Sequence, residues 1–332
     1  MTDKQLVLVT GAGRSGTSTM AGALHMLGFH LPRPVLQANA SNPKGFFESR
    51  WPVRFHRRLL ERAVVEQTDG RPVAESLVAG QVDEAVRAEL KGWLAKQFDQ
   101  SSQVMVKDPR AAWVPGLWAE VAASLDAQTA YVTMLRHPAE VVRSRESHYH
   151  QNRPYMDDVG FAVMSLAGWV NANLTLERLT RGQPRAFVRY DDLRADWRSA
   201  LHPLRDDLGL RLGHSLDASP HPEVDAFIEP GLNRHQGSFA DLGLPAPLVE
   251  IADELWALLD AGGPAEELDE VAERYAALYR QSQAIAVDAA TAHARVERRR
   301  GYDEGVLEGR AEARPTSLRA RARRTVRNIR ES

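Results

Sequence analysis

Apolar positions along the first two hundred residues fall into two kinds of run. Residues 5–10 (QLVLVT), 103–107 (QVMVK), 130–135 (AYVTML) and 185–189 (RAFVR) are short and rich in Val, Leu and Met. Runs of that length suit parallel strands buried on both faces. Longer stretches between them carry helical spacing, and predict helices at about 17–27, 51–66, 81–98, 138–150, 159–181, 192–207, 247–260 and 267–290. Few short strands among many long helices predict an α/β body of three layers with a central parallel sheet. Residues 209–247 hold several prolines and glycines and little periodicity, and read as a long ordered loop or lid. The apolar stripe of the last helix thins after Ile285 and almost ends at Leu307. The expected organisation is one domain over 1–290, with a helical or frayed extension over 291–332.

Composition removes whole classes of chemistry. The 332-residue chain has no cysteine, so it forms no disulfides, thiol nucleophiles or thiolate metal sites. No stretch has the order of a signal peptide and no run of 18 apolar residues stands out, so a soluble, cytoplasmic protein is expected. The formal charge of -2 conceals an uneven distribution. Residues 291–332 hold 12 Arg against 6 acidic residues, a net of +6, which leaves about eight negative charges on the body. The tail's interspersed glutamates, with Tyr302 as its one aromatic, argue against nucleic acid. A solvated end, or a homodimer contact through the C-terminal helix, is the expectation. The basic residues are 37 Arg and only 5 Lys, so each lysine draws notice.

The most informative segment is Gly11-Ala12-Gly13-Arg14-Ser15-Gly16-Thr17-Ser18-Thr19, between the first strand and the first helix. A dinucleotide turn would want an acidic residue about 20 positions on, after a second strand. Pro32 and Pro34 break that region, and no acid precedes Glu48. A triphosphatase would want lysine at Thr17. What remains is an anion cradle: backbone amides at a helix N-terminus, four hydroxyls, and a cation moved upstream to Arg14.

That loop resembles the 5′-phosphosulfate loop of sulfotransferases, the enzymes that use 3′-phosphoadenosine 5′-phosphosulfate (PAPS), and especially their bacterial members. Arg136 at a strand end and Ser144 eight residues later resemble the pair with which the family grips the cofactor's 3′-phosphate. Val106-Lys107-Asp108-Pro109-Arg110 looks like a bacterial strand-end lysine motif, and Asn42-Pro43-Lys44-Gly45-Phe46-Phe47-Glu48 resembles a segment lining the acceptor site. Val188-Arg189-Tyr190-Asp191-Asp192-Leu193 is similar to a common family strand and turn. The likeness covers about the first 200 residues and implies a P-loop-like core.

The resemblance implies PAPS as co-substrate, PAP as product, and a hydroxyl of a small molecule or carbohydrate as acceptor. It assigns cofactor binding to Arg14, Ser15, Gly16, Thr17, Ser18, Thr19, Arg136 and Ser144, with Arg234 as a C-terminal contact. Arg14 and Lys107 would stabilise the leaving group, and no metal is implied because fixed cations take its place. Glu48 is the first choice of general base, its pKa raised by neighbours such as Phe46 and Phe47. Asp108 is second, and His148 or His150 third. His235 stands beside Arg234 as a further histidine without a role. Acceptor specificity is expected from segments near 30–60, 145–160 and 210–245. Two other readings stay open: a P-loop kinase using ATP, and a non-catalytic module that binds nucleotide or a partner.

Overall fold

The structure is a computed structural model, and it describes residues 3–39, 42–149, 156–217, 220–228 and 237–312. Four strands, β1 (Lys4–Thr10), β2 (Gln103–Lys107), β3 (Ala127–Leu135) and β4 (Arg185–Arg189), form one sheet in the order β2-β1-β3-β4. Every neighbouring pair is parallel, with Val9 opposite Lys107, Thr10 opposite Thr133 and Leu135 opposite Arg189. All four strands fall where the apolar runs predicted them.

Helices cover both faces, and period-2 alternation along β1 shows how. Leu6 and Leu8 point into one core with α2 (Arg50–Ala63), α4 (Glu84–Phe98) and α5 (Pro115–Ala123), through Leu59, Leu90, Leu94 and Trp118. Val7 and Val9 point into the other, with Met20 and Leu24 of α1 (Thr17–Met26) and Trp197 and Leu201 of α9 (Trp197–Asp206). Each fully buried side chain of this kind contributes about 1.5–3 kcal/mol relative to exposure. Six further helices complete the order: α3 (Ala74–Ala79), α6 (Pro138–Tyr149), α7 (Asp158–Thr180), α8 (Tyr190–Ala195), α10 (Pro222–Phe227) and α11 (Ala246–Ala261). The long C-terminal helix, α12, runs Ala265–Glu312.

Three elements differ from the sequence expectation. The single helix expected over 192–207 is two, because Asp196 takes an extended conformation and caps α9 through the Arg198 and Ser199 amides. The segment that follows β2 folds as a 3-10 turn (Pro109–Trp113) and α5, each opening on a proline at its first position. Within 209–247, α10 forms a short helix. Among the described residues α7 is the one helix long and apolar enough to cross a membrane, and 72% of that apolar window is buried in the fold.

The chain divides into two compact units, Met1–Leu278 and Tyr279–Ser332. In the first, Tyr275 of α12 donates its hydroxyl to the Gly70 carbonyl. In the second, Arg299 and Arg300 pair with Asp303 and Glu304 one helical turn on, and the side chains are exposed.

The sheet topology fixes where a site can form. The chain leaves β1 for β2 on one side and passes to β3 on the other, so the carboxyl ends of these strands border a switch point. Thr10, Lys107 and Leu135 end those strands side by side.

Candidate active site

Beyond the carboxyl end of β1 the chain turns sharply. Gly11 has φ +127°, and a Cβ there would lie 2.6 Å from the Met134 carbonyl oxygen. Arg14 (φ 76°) and Gly16 (φ 90°) also take left-handed conformations around Ser15. Such alternation turns successive amides inward, the geometry of an anion nest. Gly16 is required twice over, since a Cβ would also sit 2.1 Å from the Tyr190 ring.

The loop meets a cleft of about 680 Å³, bordered by Thr17, Ser18 and Thr19 and by Arg14, Glu48, Lys107 and Arg136. Within the fold, no acceptor takes the amides of Gly16, Thr17 or Ser18 among the described residues. Ser15 departs from expectation. Its amide closes a turn onto the Ala12 carbonyl at 3.2 Å, and its hydroxyl is buried with no partner. The amide nest therefore narrows to residues 16–18. The amides of those residues suit a compact phosphate or sulfate group, with the Arg14 guanidinium held at the loop by Ser144 and His148.

Lys107 ends β2 and reaches back to this loop. Its ammonium lies 2.5 Å from Glu48 Oε1 and 3.3 Å from Ser18 Oγ. Both partners of the ion pair are buried, with side chains 3% and 9% exposed. Ser18 Oγ also donates to the Phe46 carbonyl and accepts from the Asn42 side chain. The hydroxyl is thus fully used, and it ties the loop to the segment carrying Glu48. Phe47 packs edge-on against Phe227, with ring centroids 5.4 Å apart. The setting of Glu48 is a cation pair rather than the apolar pocket expected.

Asp108 is next in sequence and opposite in environment. It is fully buried, and its Oδ2 lies 2.8 Å from His56 Nδ1, also fully buried. Trp118 donates its indole N–H to His56 Nε2 at 2.9 Å. Indole only donates, so Nε2 accepts and Nδ1 carries the proton given to Asp108. Oδ1 accepts from the Arg110 amide and guanidinium. Burial raises this carboxyl, while the hydrogen bond from His56 and the charge and amide of Arg110 lower it below the usual carboxylate range. Asp108, the second candidate for the base, is buried and committed to His56 and Arg110. Arg110 in turn borders the cleft, 3.9 Å from Glu48 Oε2.

Arg136 and Ser144 come to the same loop from β3 and α6. Arg136 donates to the Arg14 carbonyl at 3.2 Å, pairs with Glu140 at 2.9 Å and lies over the Tyr190 ring. Ser144 is buried, and its hydroxyl accepts from Arg14 Nε at 3.0 Å. His148 accepts from Arg14 through Nε2 and bonds the Ser144 carbonyl through Nδ1. That makes it a partner of Arg14, contrary to its expected standing as a base. Arg234, His235 and His150 lie outside the described residues.

Several cleft residues gave no clear sequence signal. Arg145 sits beside Ser144 and bonds Ser165 Oγ, with that neighbour its only clue, and Tyr190, which follows β4, lay in a quoted segment without an assigned role. Glu66, Gln67 and Thr68 follow the left-handed Val64 that ends α2, in a loop without a motif.

No family model matches the chain, and no curated protein matches it. Among solved structures it is similar to the sulfotransferase domain from the curacin biosynthetic pathway. Identity is 16% over 79% of this chain and 99% of that one, with a TM-score of 0.44. It is also similar to the sulfotransferase domain from the Synechococcus PCC 7002 olefin synthase. There identity is 17%, over 82% and 94% of the two chains, with a TM-score of 0.39.

Proposed function

We propose that this chain is a sulfotransferase moving the sulfuryl group of PAPS to a hydroxyl of a small molecule or carbohydrate. The observation that carries this reading is convergence. An anion loop, a buried lysine and a carboxylate border one cleft at the carboxyl ends of parallel strands, and the lysine touches both other groups. Sulfuryl transfer asks for that set: fixed donors for a phosphate, a cation where the leaving oxygen gains charge, and a base for the acceptor's proton.

In this reading the amides of residues 16–18 and the hydroxyls of Thr17 and Thr19 hold the 5′-phosphate, with Arg14 at its side. Arg136 and Ser144 take the 3′-phosphate, which requires them to exchange Glu140 and Arg14 for the ligand. Lys107 faces the leaving oxygen. Glu48 receives the proton of the acceptor hydroxyl as that oxygen attacks sulfur in line with the departing phosphate.

Calorimetric titration of PAP against ADP, with and without magnesium, tests the reading. Micromolar PAP binding, indifferent to chelator and lost in Arg136→Ala, is expected. Tighter ADP binding that requires magnesium would replace it with a P-loop kinase. PAP binding without turnover on any hydroxyl acceptor would leave a binding module.

A further inference from the structure

We propose that the Lys107–Glu48 ion pair couples the base to the leaving group. Glu48 holds the lysine's charge while it is ionised, and releases that charge to the phosphate loop when it takes the acceptor's proton. The inference rests on the sulfuryl-transfer reading and adds a dependence between two residues that the reading treats separately.

The geometry points to this because a single ammonium bridges both sites. Lys107 Nζ is 2.5 Å from Glu48 Oε1 and 3.3 Å from Ser18 Oγ, in the first turn of α1 beside the anion nest. Both ion-pair partners are almost free of solvent, so their mutual charge is weakly screened. Arg110, the other cation near Glu48, is already matched by Asp108 at 2.8 Å. Lys107 is therefore the cation whose charge Glu48 balances.

The chemistry balances on that basis. The acceptor's O–H proton passes to the Glu48 carboxylate as the acceptor oxygen bonds to sulfur. The bond from sulfur to the 5′-phosphate oxygen breaks, and its electron pair stays on that oxygen. Glu48 thus changes from -1 to neutral while the loop side gains one negative charge. Lys107, relieved of one carboxylate, faces a new anion without moving far. A base paired with its own electrophilic cation then stabilises charge only when transfer occurs, which is where stabilisation accelerates a reaction.

The same coupling makes PAP binding draw a proton onto Glu48. The other charged groups facing the pair are Arg110 from the turn after β2, Arg14, Arg136 and Arg145 across the cleft, and Glu66 on its border. Arginines do not titrate in the relevant range. His148, bonded to Arg14, is common to the proteins compared and cancels.

The test is calorimetric titration of PAP into the full chain at pH 7.5, in two buffers of different ionisation enthalpy. Wild type should take up more protons than Glu48→Gln, and Glu89→Gln, on the surface away from the cleft, should match wild type. Glutamine keeps a carbonyl acceptor for Lys107, and its PAP dissociation constant should fall about tenfold, the equivalent of one pKa unit. That gain should vanish when Glu48→Gln is placed on Lys107→Met. Equal proton uptake in wild type and Glu48→Gln, or a gain that survives without the lysine, overturns the coupling alone. Absence of PAP binding to wild type overturns the sulfuryl-transfer reading with it.

Discussion

His56 Nδ1 stands 2.8 Å from Asp108 Oδ2 with neither side chain exposed to solvent, and Trp118 fixes which imidazole nitrogen bears the proton. Asp108 then receives donors on both oxygens and holds Arg110 at the border of the cleft. The arrangement is a support for the site rather than part of its chemistry.

Asp108→Asn should cost about 2–3 kcal/mol of stability, the scale of lost hydrogen bonds to a buried charge. Urea denaturation of the two proteins measures it. The carboxyl is depressed in the folded state, so its contribution is full above its unfolded value near pH 4. It is lost progressively as pH falls from there toward the depressed folded value. The difference between wild type and variant should therefore be constant from pH 5 to 8 and shrink in stronger acid.

Gly16→Ala places a Cβ 2.1 Å from the Tyr190 ring at φ +90°. Loop displacement should lower PAP affinity at least tenfold and stability by about 1–2 kcal/mol, the range for a non-glycine residue held in such a conformation. Adding Tyr190→Ala removes the clash but not the strain, so rescue of binding in calorimetry should be partial.

Glu48→Gln should reduce turnover by about 10²–10⁴, the usual contribution of a general base. Thermal melts should show the protein folded, since the amide keeps an acceptor for Lys107. Turnover equal to wild type, measured by PAP release with a hydroxyl acceptor, would remove Glu48 from that role.

Asp196→Ala removes the side-chain acceptor for the Arg198 and Ser199 amides at the start of α9. A loss of about 1 kcal/mol is expected from the missing cap. PAP affinity should stay within twofold, because α9 packs under the sheet and borders no part of the cleft.

The strands were legible because burial on both faces demands continuous apolar runs, and 5–10 or 103–107 admit no other use in so polar a chain. The glycine-rich loop was legible for a similar reason: Gly11 and Gly16 occupy conformations that side chains avoid. Helix boundaries were less so, since one extended aspartate at 196 divides what periodicity alone joins. The resemblance ranked Glu48 above Asp108, but their different surroundings were not legible. Both are carboxylates near a lysine motif, and their difference lies in His56, 52 residues from Asp108, and Lys107, 59 residues from Glu48.

By itself the sequence determined an α/β chain with a sharp glycine turn after its first strand, because local backbone conformation and burial period are written in neighbouring residues. Tertiary structure decided which charges face one another. It buried Asp108 against an imidazole, gave Ser144 to Arg14, and set one ammonium between Ser18 and Glu48. Electrostatic roles depend on distance through space and on exclusion of water, and neither is encoded in the spacing of residues along a chain.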